Sequence, residues 1–233
     1  MEVTMLLASC FAFVFTSVMA VEMTIIETRE VFSKLDLQSV RRVNSSGPVG
    51  NGRTCYGDIN DLQPSGEASG GVPGSQADVR MDIPELKKRW AFYQAVADQN
   101  CVQASLIAAL ASRESRGGLL LYKTDGYGDH GRAYGILQCD LIHSGLNCLA
   151  CVWYSQCHIQ MMVSKILVPY IQQIQRKFPT WTSSQGLQGG VAAYNKGVSR
   201  VTSWPGVDTG TTHGDYSNDV IARAQYLYGL GWN

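Results

Sequence analysis

The chain has 233 residues, 45% of them hydrophobic and 16% charged, enough apolar material for a sizeable core. Nineteen basic side chains balance nineteen acidic ones. That neutrality removes the electrostatic case for nucleic acid as a partner and for a charge-held membrane anchor.

Met5 to Ala20, "MLLASCFAFVFTSVMA", is apolar and ends in small side chains. It is short for a membrane span and Glu22 follows closely, so residues 1–20 read as a cleaved secretory signal. An uncleaved interfacial helix is the alternative. Cleavage removes Cys10 and leaves six of the seven cysteines, an even number that suits a disulfide framework in an oxidising compartment. The expectation is a secreted, extracellular protein without stable membrane association. Residues 21–52 read as an N-terminal extension: "VRRVNSSGPVGNG" has no sustained periodicity, and Asn44-Ser45-Ser46 is a glycosylation sequon that matters only if secretion holds.

A second loose stretch, "QPSGEASGGVPGSQ" from Gln63 to Gln76, is expected to form a surface loop. A helix is predicted after it. Asp82 would cap it, Pro84 suits its first turn, and Leu86, Trp90, Tyr93 and Ala97 share one face. The next helix runs from about Gln103 to Ser115 and is apolar almost throughout. It ends in Arg113-Glu114-Ser115-Arg116 and two glycines. The Gly-rich "GGLLLYKTDGYGDHGRAYGILQCD" predicts turns and a small hairpin. Helix returns near His158–Lys177, with Met162, Ile166, Tyr170 and Ile174 in one line, then near Ser184–Arg200 and Tyr216–Gly229. The fold class is therefore mainly α, with a small β-sheet insertion in a domain covering residues 53–233.

Burying a carboxylate is costly unless it is paired, hydrogen-bonded or neutralised by a pKa shift. Glu114 either pairs with Arg113 or Arg116 at the helix end, or it is a working acid. The segment beyond it brings Asp125, Asp129 and Asp140. Cleaving a glycosidic bond needs a protonated acid for the leaving oxygen and a carboxylate that activates water or stabilises positive charge. A carboxyl in a partly apolar pocket keeps its proton near neutrality, while aspartates on wet turns stay ionised. The spacing suits that division.

Six pieces occur in order from Arg53 to the C-terminus: "RTCYGDIN", "ASRES", "GYGDHGRAYGILQCD", "KFPTW", "GGVAAYNKG" and "GTTHGDYSNDVIARAQYLY". Together they resemble the goose-type lysozymes, and "GILQ" beside a helix-ending "ES" also resembles lytic transglycosylases. The resemblance to the lysozymes implies a lysozyme-like helical domain whose small sheet lies next to the cleft. It implies an inverting hydrolase of the β-1,4 bond between N-acetylmuramic acid and N-acetylglucosamine in bacterial peptidoglycan. Glu114 matches the family's general acid, and Asp129 and Asp140 match the aspartates that position and activate water. Asp125 has no match and reads as a turn residue.

Tyr194 and Asn195 match groove positions in the same family. Gln138 and Tyr216 are further substrate-binding candidates, with Tyr134 a weaker one. His143 lies near a groove histidine, whereas His130 and His213 read as loop histidines. The resemblance also implies a Cys55–Cys101 disulfide. Cys139, Cys148, Cys151 and Cys157 fall in a segment a few residues longer than the family's. Cys148-Leu-Ala-Cys151 looks like half a zinc site, but in an oxidising compartment disulfides are expected, and three pairings are open. The expected protein is a monomer with no cofactor and no metal. A lytic transglycosylase and an inactive wall-binding defence protein are the rivals.

Overall fold

The computed structural model describes residues 54–233, so the expected signal, the extension at 21–52, Cys10 and the sequon lie outside it. Seven α-helices of the described residues are α1 (Gly71–Lys87), α2 (Trp90–Asn100), α3 (Ala104–Ser115), α4 (Gln156–Met162), α5 (Val168–Lys177), α6 (Ser183–Lys196) and α7 (Tyr216–Gly229). Three two-residue strands, β1 (Tyr127–Gly128), β2 (Ala133–Tyr134) and β3 (Cys139–Asp140), form an antiparallel sheet in that order. Tyr127 pairs with Tyr134, and Ala133 pairs with Asp140. The mainly helical expectation with a small sheet is correct, although the hairpin has a third strand.

Helix α3 is the centre. Every residue from Ala104 to Ser112 is buried, as expected of a helix apolar on all sides. Its alanines let neighbouring helices approach closely. α7, α2 and α1 pack around it, and Leu106, Ile107 and Leu110 are fully out of water. Each such side chain contributes roughly 1.5–3 kcal/mol of burial free energy.

Two expectations fail at the start of the domain. The stretch 63–76 is not all loop, because α1 begins at Gly71 with Pro73 in its first turn, where a missing N–H costs nothing. Asp82 is not a cap. It sits inside α1, 1% exposed, accepting from Arg116 Nε at 2.9 Å and from Ser112 Oγ at 2.8 Å. Burial of Ser75 and Val79, on a helix packed along α7, overrides the weak local propensity. The face of Leu86, Tyr93 and Ala97 is buried as expected, but Arg89 breaks the helix in two.

A π-helical turn, Val163–Leu167, joins α4 to α5. The fully buried line is Val163, Leu167, Ile171 and Ile174. Met162 is buried in the core as expected, whereas Ile166 and Tyr170, expected on the same stripe as Ile174, are half-buried and line a groove. Three disulfides join the described residues: Cys55–Cys101, Cys139–Cys148 and Cys151–Cys157. The last two choose one of the three pairings that the cysteine count left open. Among the described residues no helix is long and apolar enough to cross a membrane.

Candidate active site

Helix α3 stops where it does because of its neighbours. Arg116 takes a left-handed conformation and its N–H bonds back to Ser112 O at 2.9 Å. Gly117 follows at φ +67°, and a Cβ there would stand 3.0 Å from Glu85 Cβ. Arg89 Nη1 donates to the Gly117 carbonyl at 3.1 Å, fixing the turn. Ser115 Oγ donates to the Ile136 carbonyl at 2.8 Å and accepts from Gly118 N at 2.9 Å. The end of α3 is thereby bolted to the sheet segment.

Glu114 projects from this end, half-buried, into a groove of about 480 Å³ that Asp129, Asp140, Gln138, Tyr194 and Asn195 also line. Neither adjacent arginine reaches it. Arg113 pairs with Asp219 at 2.6 Å and Asp215 at 2.9 Å, and Arg116 pairs with Asp82. Among the described residues Glu114 has no ion pair. Its hydrogen-bond partner is the Tyr216 hydroxyl, which donates to Oε1. Burial pushes the Glu114 carboxyl up to about 7, against the Tyr216 hydrogen bond and the Arg113 charge, which both pull it down. It is protonated through most of the acid and neutral range.

The two aspartates stand in different surroundings. Asp140 ends β3 and is 49% exposed. Its Oδ1 accepts from the N–H groups of Ile142 at 2.8 Å and His143 at 2.9 Å, and Oδ2 lies 3.0 Å from His143 Nδ1. Slight burial pushes this carboxyl up, but the three hydrogen bonds outweigh it and hold it below the ordinary carboxylate range. Asp129 is exposed at φ +43°, in a turn continued by His130 at φ +53°. Its carboxylate makes no hydrogen bond to any described residue. Such left-handed non-glycine residues carry strain and concentrate at functional sites.

The backbone at Ile136 and Leu137, between the two aspartates, is held by hydrogen bonds. Ile136 N donates to Trp153 O at 2.8 Å, Leu137 N approaches His158 Nε2 at 3.4 Å, and Leu137 O accepts from the Tyr194 hydroxyl at 2.6 Å. Burial drives His158 down to about 4, so it is neutral and able to accept. Gln138 Nε2 donates to Gly135 O at 2.8 Å while the side chain lies over Gly128. Asn195 is tied to Thr212: Oδ1 accepts from its N–H at 2.9 Å and Nδ2 donates to its hydroxyl at 3.1 Å. An amide has two N–H donors, so one of them still serves the groove.

The profile of the family described as Lysozyme g matches residues 56–231. Curated relatives named lysozyme g include a Gallus gallus protein, 36% identical over 78% of this chain and 88% of the relative. Another, from Takifugu rubripes, is 37% identical over 73% of this chain and 95% of its own. The chain belongs to the lysozyme g family. It is also 47% identical, over 76% of its length, to a Lottia gigantea protein named glycine, glutamate and proline-rich protein, of which it spans 46%. Membership makes it a glycoside hydrolase of the lysozyme class.

Against that lysozyme g frame, Glu114, Asp129, Asp140, Gln138, Tyr194 and Asn195 all line one groove, as does His143. Tyr216 does not. Its ring is 2% exposed beneath the Arg113 guanidinium, and its hydroxyl donates to Glu114. Tyr134 packs edge-on against Tyr127 and His158, away from the groove lining. Sequence reasoning missed the carboxylates Asp215 and Asp219 that draw Arg113 aside. A signal existed in "GDYSNDVIAR", whose two aspartates four apart occupy one helical face.

Proposed function

We propose that the protein is a secreted peptidoglycan hydrolase that cleaves the β-1,4 bond between N-acetylmuramic acid and N-acetylglucosamine with inversion. It would act as a monomer, without a cofactor, on bacterial cell walls. The observation that carries this is the contrast within one groove: a protonated, unpaired Glu114 faces two exposed aspartates.

In this reading Glu114 gives its proton to the glycosidic oxygen as the bond from the anomeric carbon breaks. A water attacks that carbon from the opposite face and loses a proton to an aspartate. Asp129, with no internal hydrogen bond, is the freer base. Asp140, with donors on both oxygens, orients the water and its own loop. Inverting enzymes hold their carboxyls roughly 6.5–9.5 Å apart, which leaves room for that water. Products then leave, and solvent returns the proton to Glu114. A lytic transglycosylase needs no base for water, so two aspartates on the groove favour hydrolysis.

The test is clearance of a turbid suspension of bacterial walls by purified protein, alongside Glu114→Gln. Lysis by the wild type and none by the variant supports the reading. Equal rates place the acid elsewhere.

A further inference from the structure

An arginine next to a general acid is a hazard to it. Glu114 must keep a proton until the glycosidic bond breaks, and a cation against its carboxyl would favour the anion. Arg113 precedes Glu114 in the chain, and one aromatic ring separates the two groups. The Arg113 guanidinium carbon lies 5.6 Å from the centre of the Tyr216 ring, whose hydroxyl donates to Glu114. Tyr194 on α6 also faces the acid, as do Asp129, Arg132, Asp140 and His143 from the rest of the groove. The charge that pulls on its ionisation is that of Arg113.

A two-armed clamp keeps the guanidinium where it is. Its Nη1 donates to Asp219 Oδ2 at 2.6 Å, and its Nη2 donates to Asp215 Oδ1 at 2.9 Å. The two arms are not equivalent. Asp219 is fully buried and serves two arginines, since both of its oxygens also accept from Arg223 Nε at 2.9 Å. Arg223 in turn donates to Asp78 on α1 and Ser112 on α3, so Asp219 belongs to the packing of three helices. Asp215, the residue before α7, has a simpler task. Its Oδ1 serves Arg113, and its Oδ2 accepts from Ala68 N at 2.6 Å, which fixes the carboxylate. Without Asp215, Nη2 would keep only the Thr212 carbonyl, at 3.5 Å. Two guanidinium groups would then share the Asp219 carboxylate. The surplus positive charge would sit over the ring that touches the acid.

We infer that Asp215 is a positioning residue for hydrolysis: it holds the Arg113 guanidinium on the Tyr216 ring, so that Glu114 keeps the proton it must give. The inference rests on Glu114 as the general acid of the proposed hydrolase. It also makes Arg113 a charge that the site tolerates only while two carboxylates hold it.

The experiment is a pH profile of kcat/KM on a soluble peptidoglycan oligomer for wild type, Asp215→Asn, Arg113→Gln and the double variant. Asp215→Asn is the informative change, because its amide oxygen can still accept from Ala68 N while the charge is gone. Its alkaline limb should move down by about one pH unit, the lower end for an opposite charge at roughly 4–6 Å. Asp215→Glu, which restores the charge, should recover part of the shift. In the Arg113→Gln background, Asp215→Asn should leave the limb where it is. An unmoved limb in the single variant, or the same shift with and without Arg113, overturns the positioning role alone. Should Asp215→Asn fail to fold, Arg113→Gln decides the matter. Its limb should move up, and one that stays put overturns the role. Wild-type protein that cleaves no oligomer overturns the hydrolase reading and the positioning role with it.

Discussion

The Tyr216 hydroxyl donates to the Glu114 carboxylate, joining the end of α3 to the first residue of α7. Among the described residues this is the one hydrogen bond to the carboxyl, whose neighbouring arginines pair elsewhere. A hydrogen bond to the charged form favours ionisation, whereas burial opposes it, and burial wins. The balance leaves Glu114 a proton that is both present and transferable near neutrality.

Activity should follow that balance. The alkaline limb of the pH–rate profile should fall near pH 7 as Glu114 ionises. Tyr216→Phe removes a contact that favours the ionised form, so the alkaline limb should move upward, by up to about one pH unit. A limb that stays put or moves down would show that Tyr216 does not tune the acid.

Glu114→Gln should abolish lysis and yet stabilise the protein at alkaline pH. The sign follows from linkage: Glu114 has a raised pKa in the folded state, so the unfolded chain releases its proton first. Below the ordinary value of 4.5 both states are protonated and the variant gains nothing. Between 4.5 and about 7 the wild type loses stability as pH rises, to roughly 3 kcal/mol at most, and the glutamine does not. Urea denaturation of both proteins at pH 4 and pH 8 measures it.

The aspartates predict a stereochemical outcome. Early products from a defined peptidoglycan oligomer should carry an α-configured reducing end, read by NMR before mutarotation. Asp129→Asn and Asp140→Asn should each slow the reaction, and the double variant should lose less than the product of the two effects, since both act on one water. A 1,6-anhydro sugar as the main product would point to transglycosylation instead.

Cys139 adjoins Asp140, and its partner Cys148 closes the loop that supplies the Asp140 donors. A loop this short is worth about 3 kcal/mol in the chain-entropy picture. Replacing both cysteines by serine should lower the melting temperature modestly and kcat more than KM, because the carboxylate loses its fixed orientation. Peptide mapping by mass spectrometry of the wild type should recover all three disulfides and no free thiol among them.

Most of the helical frame was legible from periodicity. α3 and α7 were placed within a residue of their ends, because apolar spacing and the Gly117-Gly118 pair mark them clearly. The first half of α1 was not. Its Gly, Ser and Pro residues speak for a loop, and only the packing of Ser75 and Val79 along α7 makes them helical. At the site, motif resemblance pointed to three carboxylates that line one groove, but not to why Glu114 is free of arginine. That depends on Asp215 and Asp219, about a hundred residues away, and one sequence says nothing about which partner a cation will choose. The burial of Tyr216 is hidden for a related reason: an aromatic near a loop looks the same whether it faces solvent or core.

Gly128 takes an extended conformation that any residue can adopt, at the half-exposed end of β1, where substitution ordinarily does little harm. Yet a Cβ there would stand 1.9 Å from the Gln138 amide oxygen. Adding one methyl group here, on the strand that leads into Asp129, must displace the Gln138 side chain, which is anchored to the Gly135 carbonyl. Exposure and mutational tolerance thus part company along this lip. A survey of random variants should find an intolerant surface position at Gly128, with catalytic loss in molecules that still fold.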